Sequence, residues 1–180
     1  VADLLPPEME ALCAIPSCLD VTRFMRAAES LGCTCDADTI TRRGARIHLL
    51  CDRFDEVLGK SDVFLGLAGT ANEQAAGLGK PVVSISGLGP QTTPRRMRKQ
   101  ERLMGGSVVY AESPTEAAEE IRFILSHPEE IERRGAIGRQ RMGSPGASLR
   151  IAEYLLGRLE PGHSNAERPA AGTEVTSDAK

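Results

Sequence analysis

The residues with the clearest chemical potential lie in one stretch, Ser61 to Gln91. It reads Ser-Asp-Val-Phe-Leu-Gly-Leu-Ala-Gly-Thr-Ala-Asn-Glu-Gln-Ala-Ala-Gly-Leu-Gly-Lys-Pro-Val-Val-Ser-Ile-Ser-Gly-Leu-Gly-Pro-Gln. The pattern predicts a buried strand ending at Ala68, a turn of small residues at Gly69 and Thr70, and a helix that begins at once. The first amides of a helix have no intrahelical acceptor and sit at the positive end of its dipole, so they suit a phosphate or another polar ligand. Gly69 permits close approach of the backbone, Thr70 adds a hydroxyl, and Asn72, Glu73 and Gln74 fall in the first turn beside such a ligand. A strand, Gly-Thr and helix also make a plain structural turn, and the residues alone leave both readings open.

Other reactive types form no comparable constellation. Cys13, Cys18, Cys33, Cys35 and Cys51 are odd in number, confined to the first third and without a C-x-x-C pair, which excludes a disulfide framework and argues against a zinc site. They read as small buried hydrophobes in a reducing compartment. His48 falls in a strand, and His127 ends a helix before Pro128, placed to meet its last carbonyls. Neither sits near a plausible Ser or Cys nucleophile, Ser126 beside His127 being read as part of the helix end. Arg95, Arg96, Arg98, Lys99 and Arg102 cluster on one helix. A solvated face is the ordinary explanation, an anionic-lipid or acidic-acceptor surface the sharper one; without interleaved aromatics, nucleic acid is disfavoured.

The elements that must position these residues alternate. Strands are expected at Ala11–Pro16, Arg46–Cys51, Asp62–Leu67, Pro81–Ser86 and Ser107–Tyr110. Helices are expected from an Asp20 N-cap to about Leu31, closed by Gly32, and then near Phe54–Gly59, over Ala71–Gly79 and over Pro94–Met104. Further helices start at Pro114, at Pro128 and at Ala147, the last ending near Leu156. Strands separated by helices imply βαβ units, hence an α/β fold: a three-layer α/β/α Rossmann-like domain with a mostly parallel sheet and its ligand crevice at the carboxyl ends of the strands. Residues 1–157 make this domain, and residues 158–180, rich in Pro, Gly, Ser, Ala and Glu, read as a disordered tail.

Composition bounds the rest. The net charge of −3 gives no global attraction to nucleic acid. The longest apolar runs are strand-sized, well short of the roughly 20 residues of a membrane span. The acidic, Pro-broken start lacks the pattern of a secretion signal, so a cytoplasmic location is expected.

Asp62, the Gly69-Thr70 turn and Lys80-Pro81 together resemble the donor-site signature of GT-B glycosyltransferases that use UDP-sugars. Relatives of that kind include lipid-A-disaccharide synthase, the transferase that adds GlcNAc to lipid II, and the non-hydrolysing UDP-GlcNAc 2-epimerases. The likeness is nearest to a lipid-A-disaccharide-synthase-like group, with Gly-Thr-Ala, then Glu-Gln-Ala, then Gly89-Pro90-Gln91. It extends over Leu12–Leu156, but its specific part is Asp62–Gln91.

The resemblance implies the C-terminal, donor-binding half of a GT-B fold, with UDP-sugar as substrate and neither metal nor cofactor. In those families a glutamate seven residues before the proline holds the ribose hydroxyls; here that position is Gln74, with Glu73 beside it. Gly69 and Thr70 would face the diphosphate, and Gly87, Gly89 and Gln91 the sugar. Arg53 and Phe54, in Cys51-Asp52-Arg53-Phe54, would pack on the uracil, and Ser17 would face the same crevice. The family's opening strand with its Gly-Ser-Arg loop has no counterpart, and Ala11–Pro16 fits the family's second strand. The acceptor-binding N-terminal domain and its catalytic base are likewise missing, so no catalytic residue is assigned and the chain is expected to be inactive alone. Implied partners are the nucleotide-sugar, the missing acceptor domain or a partner subunit, and, through the basic helix, the inner face of a membrane. A donor-binding subunit of a two-chain transferase and a relative of the 2-epimerases are the alternatives.

Overall fold

The computed structural model describes residues 1–6, 9–67 and 69–159. Its contacts divide the chain into two units, Val1–Gly143 and Ser144–Lys180. The tail expected over residues 158–180 lies, from residue 160 on, outside the described residues.

The first unit is α/β and compatible with a Rossmann-like arrangement. After a short 3-10 helix at Ala2–Leu4 come β1 (Ala11–Ile15), α1 (Val21–Ser30), β2 (Thr34–Asp36), β3 (Thr39–Arg42), β4 (Ala45–Cys51), α2 (Phe54–Lys60), β5 (Phe64–Gly66) and α3 (Gly69–Gly77). β6 (Val82–Ile85), α4 (Pro94–Met104), β7 (Val108–Ala111), α5 (Pro114–Ser126) and α6 (Pro128–Met142) follow. The helices start where the sequence places caps. Asp20 accepts from the Arg23 amide at 3.0 Å, Ser113 accepts from the Glu116 amide at 3.1 Å, and Pro opens α4, α5 and α6.

The strands form two sheets rather than one mostly parallel sheet. The first has the order β1-β4-β3-β2, with β1 parallel to β4 and the β2–β3–β4 pairs antiparallel. The second, β5-β6-β7, is wholly parallel. The β2–β3 hairpin was not foreseen. It contains no apolar run, and it is held by pairing onto β4 and by Ile40 and Cys35 packing into the core that Ile15 and Leu49 share with α1. Consecutive residues of β6 point to opposite faces. Val82 packs with Leu58, Ala75, Ala76 and Met104 on one face, and Val83 with Ala117, Ile121 and Ile124 on the other. Helices thus cover both faces of the parallel sheet, which explains why β6 is apolar almost throughout.

Two glycines set how α6 seats on α3. A Cβ on Gly138 would lie 2.3 Å from the Ala76 carbonyl oxygen, and one on Gly135 2.3 Å from that of Gly79. The helices therefore meet backbone to backbone, and α6 buttresses the helix that carries the Gly69-Thr70 turn.

The cysteines are all free. Cys13, Cys33 and Cys35 pack against the first sheet's core, and burial pushes the Cys13 thiol pKa up. Cys18 and Cys51 are exposed, against the expectation that all five are buried, because both sit where the chain leaves a strand end. His127 meets the Phe123 carbonyl at the end of α5, Nδ1 to O 2.8 Å, and His48 on β4 lies 3.3 Å from the Thr39 hydroxyl.

The second unit holds α7 (Ala147–Leu159). The Arg150 guanidinium donates to the carbonyls of Pro145 (2.8 Å) and Ser144 (3.0 Å), tying the preceding turn to the helix.

Candidate functional site

The start of α3 stands at the carboxyl ends of the parallel strands, with a concavity on each side. Gly69 adopts φ +60°, and nothing lies within 4 Å of the position its Cβ would take; Gly69 and Thr70 are both exposed. Among the described residues no side chain beyond its chain neighbours comes near that position. Gly suits this left-handed position because other residues enter it at a steric cost.

The larger concavity, about 440 Å³, is lined by Ala14, Ile15 and Pro16 at the end of β1, Asp52 after β4, Phe54 of α2, and Ala71 and Gln74 of α3. That volume lies in the range of small-molecule sites, and an apolar wall with a few polar groups is their usual make-up. Phe54 is fixed by an edge-on contact with Phe64, centroids 6.1 Å apart. Asp52 holds the rim. It takes φ +53°, its amide donates to the Ile15 carbonyl (2.8 Å), and its carboxylate accepts from the Ser17 amide (2.7 Å). Arg53 and Ser17 flank this cavity but do not line it. The Arg53 guanidinium is bound to Glu56, and Ser17 engages Asp52 through its backbone. Hydrogen bonds from Lys60 and Arg53 hold the Glu56 carboxyl below its usual pKa.

The smaller concavity, about 200 Å³, lies on the α4 side and is lined by Gly69, Glu73, Gln91, Arg96, Met97, Lys99, Gln100 and Leu103. Gln91 belongs to the loop after β6, which closes on Thr92. The Gly87 amide donates to the Thr92 carbonyl (3.0 Å), and the Thr92 hydroxyl bridges the Gly89 amide (3.1 Å) and carbonyl (3.0 Å). A Cβ on Gly87 would lie 2.9 Å from that hydroxyl, so Gly87 serves loop closure.

Of the first-turn residues, Gln74 faces the larger cavity and Glu73 the smaller. Asn72 needs correction as a ligand contact. It is fully buried, and its amide nitrogen donates to Gln100 Oε1 (2.9 Å) and Ser84 Oγ (3.3 Å). Its Oδ1 points at Gly66, where a Cβ would meet it at 1.8 Å. Asn72 therefore acts from behind the site, and Gly66 is required to make room for it.

Gln100 is the residue that sequence reasoning missed. It is only 8% exposed, and its amide nitrogen donates to the Gly69 carbonyl (3.0 Å) and to Glu73 Oε1 (3.2 Å) while its oxygen accepts from Asn72. It clamps the turn from α4. A signal was present: Met97, Gln100 and Met104 share helical spacing, so Gln100 is the one polar member of the buried stripe. Asp52 belongs with it, since its side chain was not singled out.

Among the described residues no group of three or more His, Cys, Asp or Glu side chains is placed to hold a metal ion, and no helix is long and apolar enough to cross a membrane. A comparison of the chain with known protein families, curated proteins and solved structures finds no match.

Proposed function

We propose that this chain binds a UDP-sugar across the start of α3 and is the donor-binding half of a lipid-A-disaccharide-synthase-like glycosyltransferase. The observation that carries the reading is the open Gly69-Thr70 turn between two cavities at the carboxyl edge of parallel strands. The nucleoside occupies the larger cavity, with the base toward Pro16, Asp52 and Phe54 and the ribose toward Gln74. The diphosphate lies over Gly69 and Thr70, where unpaired helix amides and the dipole favour negative charge. The sugar extends toward Gln91, Gly89 and the smaller cavity. Gln74 is neutral, so its bonds to the ribose lack charge assistance. Charge developing on the departing UDP is stabilised at the same helix start. The acceptor site and the catalytic base belong to another domain or subunit on the cytoplasmic side of a membrane.

The two-sheet arrangement supports the finer fold reading. A doubly wound sheet of strand order 3-2-1-4-5-6 has its first strand between the second and the fourth. With β1 as second and β5 as fourth, that position falls between the β1 edge and the β5 edge, two of the four strand edges unpaired among the described residues.

Titration calorimetry with UDP, ADP and GDP tests the proposal. UDP is expected to bind best, and Gln74→Ala to weaken it about tenfold, the loss of roughly one hydrogen-bonded contact. Equal heats for all three nucleotides, or no UDP binding by the chain joined to its acceptor domain, would remove the reading.

A further inference from the structure

We infer that the outward face of α4 is a docking surface for an anionic lipid bilayer. The inference stands on the distribution of charge; Arg96, Lys99 and Leu103 of this face also border the smaller cavity, whereas Arg95 and Arg102 do not.

Burial of Met97, Gln100 and Met104 fixes which side of α4 faces inward. At 100° per residue, Arg95, Arg96, Lys99, Arg102 and Leu103 then fall within roughly 120° of arc on the opposite side. All five are exposed, and Leu103 is 62% exposed. Arg98 stands apart: it pairs with Glu112 and lies over the Tyr110 ring at 5.3 Å. The single acid of the helix, Glu101, turns inward and accepts from the Tyr110 amide at 3.0 Å. Arg95, Arg96, Lys99 and Arg102 make no ion pair among the described residues.

A chain of net charge −3 thus gathers on one helical face four cations that have no ion-pair partner among the described residues. The same face carries one apolar group. Leu103 adjoins the cations, and Leu88, fully exposed, stands in the loop that leads into α4. Cations beside the protruding Leu103 match a bilayer surface, where anionic headgroups lie above an apolar layer. Nucleic acid fits less well, because α4 offers no aromatic side chain for base stacking.

Vesicle flotation of the full chain tests this, using phosphatidylcholine alone and phosphatidylcholine with about one-third phosphatidylglycerol. Binding is expected only to the anionic vesicles and is expected to fall as salt shortens the screening length. Arg95→Gln with Arg102→Gln should lower partitioning about 25-fold, near fivefold per charge. These two residues line neither cavity, so UDP affinity is expected to stay unchanged. Lys60→Gln with Arg133→Gln removes the same charge from ion-paired positions elsewhere and should leave partitioning within about twofold. Leu103→Gln should weaken binding that remains at high salt. Equal binding to neutral vesicles, an equal loss in the Lys60 and Arg133 control, or release of the bound chain by single-stranded RNA at equimolar phosphate would each overturn the inference.

Discussion

Replacing Gly138 by Ala opposes two effects of known size. Inside a helix Ala is favoured over Gly by about 1 kcal/mol, so helix propensity alone makes Gly138→Ala stabilising. The tertiary structure reverses the sign. The new Cβ would lie 2.3 Å from the Ala76 carbonyl oxygen, 2.9 Å from its carbon and 3.1 Å from its Cα, all backbone atoms that cannot swing aside. Restoring ordinary contact requires α6 to retreat by about 1 Å, which forfeits roughly a quarter to a half of the dispersion across the interface. Overpacking of this kind costs about 1–3 kcal/mol, and rigid backbone on both sides puts it at the upper end. The expected net is about 2 kcal/mol of destabilisation, or roughly 4–8 °C in Tm. Gly135→Ala meets the Gly79 carbonyl at the same distance and should behave alike. The double variant should cost less than the sum, because one retreat of α6 relieves both clashes. Gly59→Ala is the control. It lies in α2, is exposed and has nothing within 4 Å, so it should stabilise by about 0.5–1 kcal/mol. Urea denaturation of the four variants reads all of this. A rise in midpoint for Gly138→Ala comparable to that of Gly59→Ala would refute the backbone-to-backbone seating of α6 on α3.

Gln100→Ala removes the bonds to Gly69, Glu73 and Asn72 and leaves the fully buried Asn72 amide with Ser84 alone, so a loss of about 2–3 kcal/mol is expected by denaturation. A loss below about 0.5 kcal/mol would show that the clamp does not form. Glu130 accepts from Arg133 and Arg134, which hold its carboxyl pKa at about 2. Its folded pKa is depressed, so its stabilisation is present above the unfolded value of about 4.3 and fades as pH falls toward about 2. Glu130→Gln should accordingly flatten the acid limb of stability against pH in that window. An acid limb of unchanged slope would exclude Glu130 as a contributor.

The helices were legible in the sequence because their signals are local: Asp20, Ser113 and the opening prolines act within one turn, and the 3.6-residue spacing of Met97, Gln100 and Met104 is visible in any window. The helix after β5 was legible for the same reason, but its bounds shifted: Gly69 and Thr70, expected as a turn before a helix over Ala71–Gly79, are the first two residues of α3 (Gly69–Gly77). The β2–β3 hairpin was not, since short polar strands gain their stability from pairing with β4 rather than from their own residues. Nor could one sheet be distinguished from two, because strand neighbours are set by long-range pairing. The site shows the same division. Sequence placed Asn72, Glu73 and Gln74 together in the first turn of α3, but successive helical residues point about 100° apart. Only the packing of α3 between α2, α4 and β6 turned Asn72 inward, Glu73 toward Gln100 and Gln74 toward Phe54. Residue type fixed which groups are available for chemistry, and long-range contacts, whose free energy is spread over distant parts of the chain, decided where each one points.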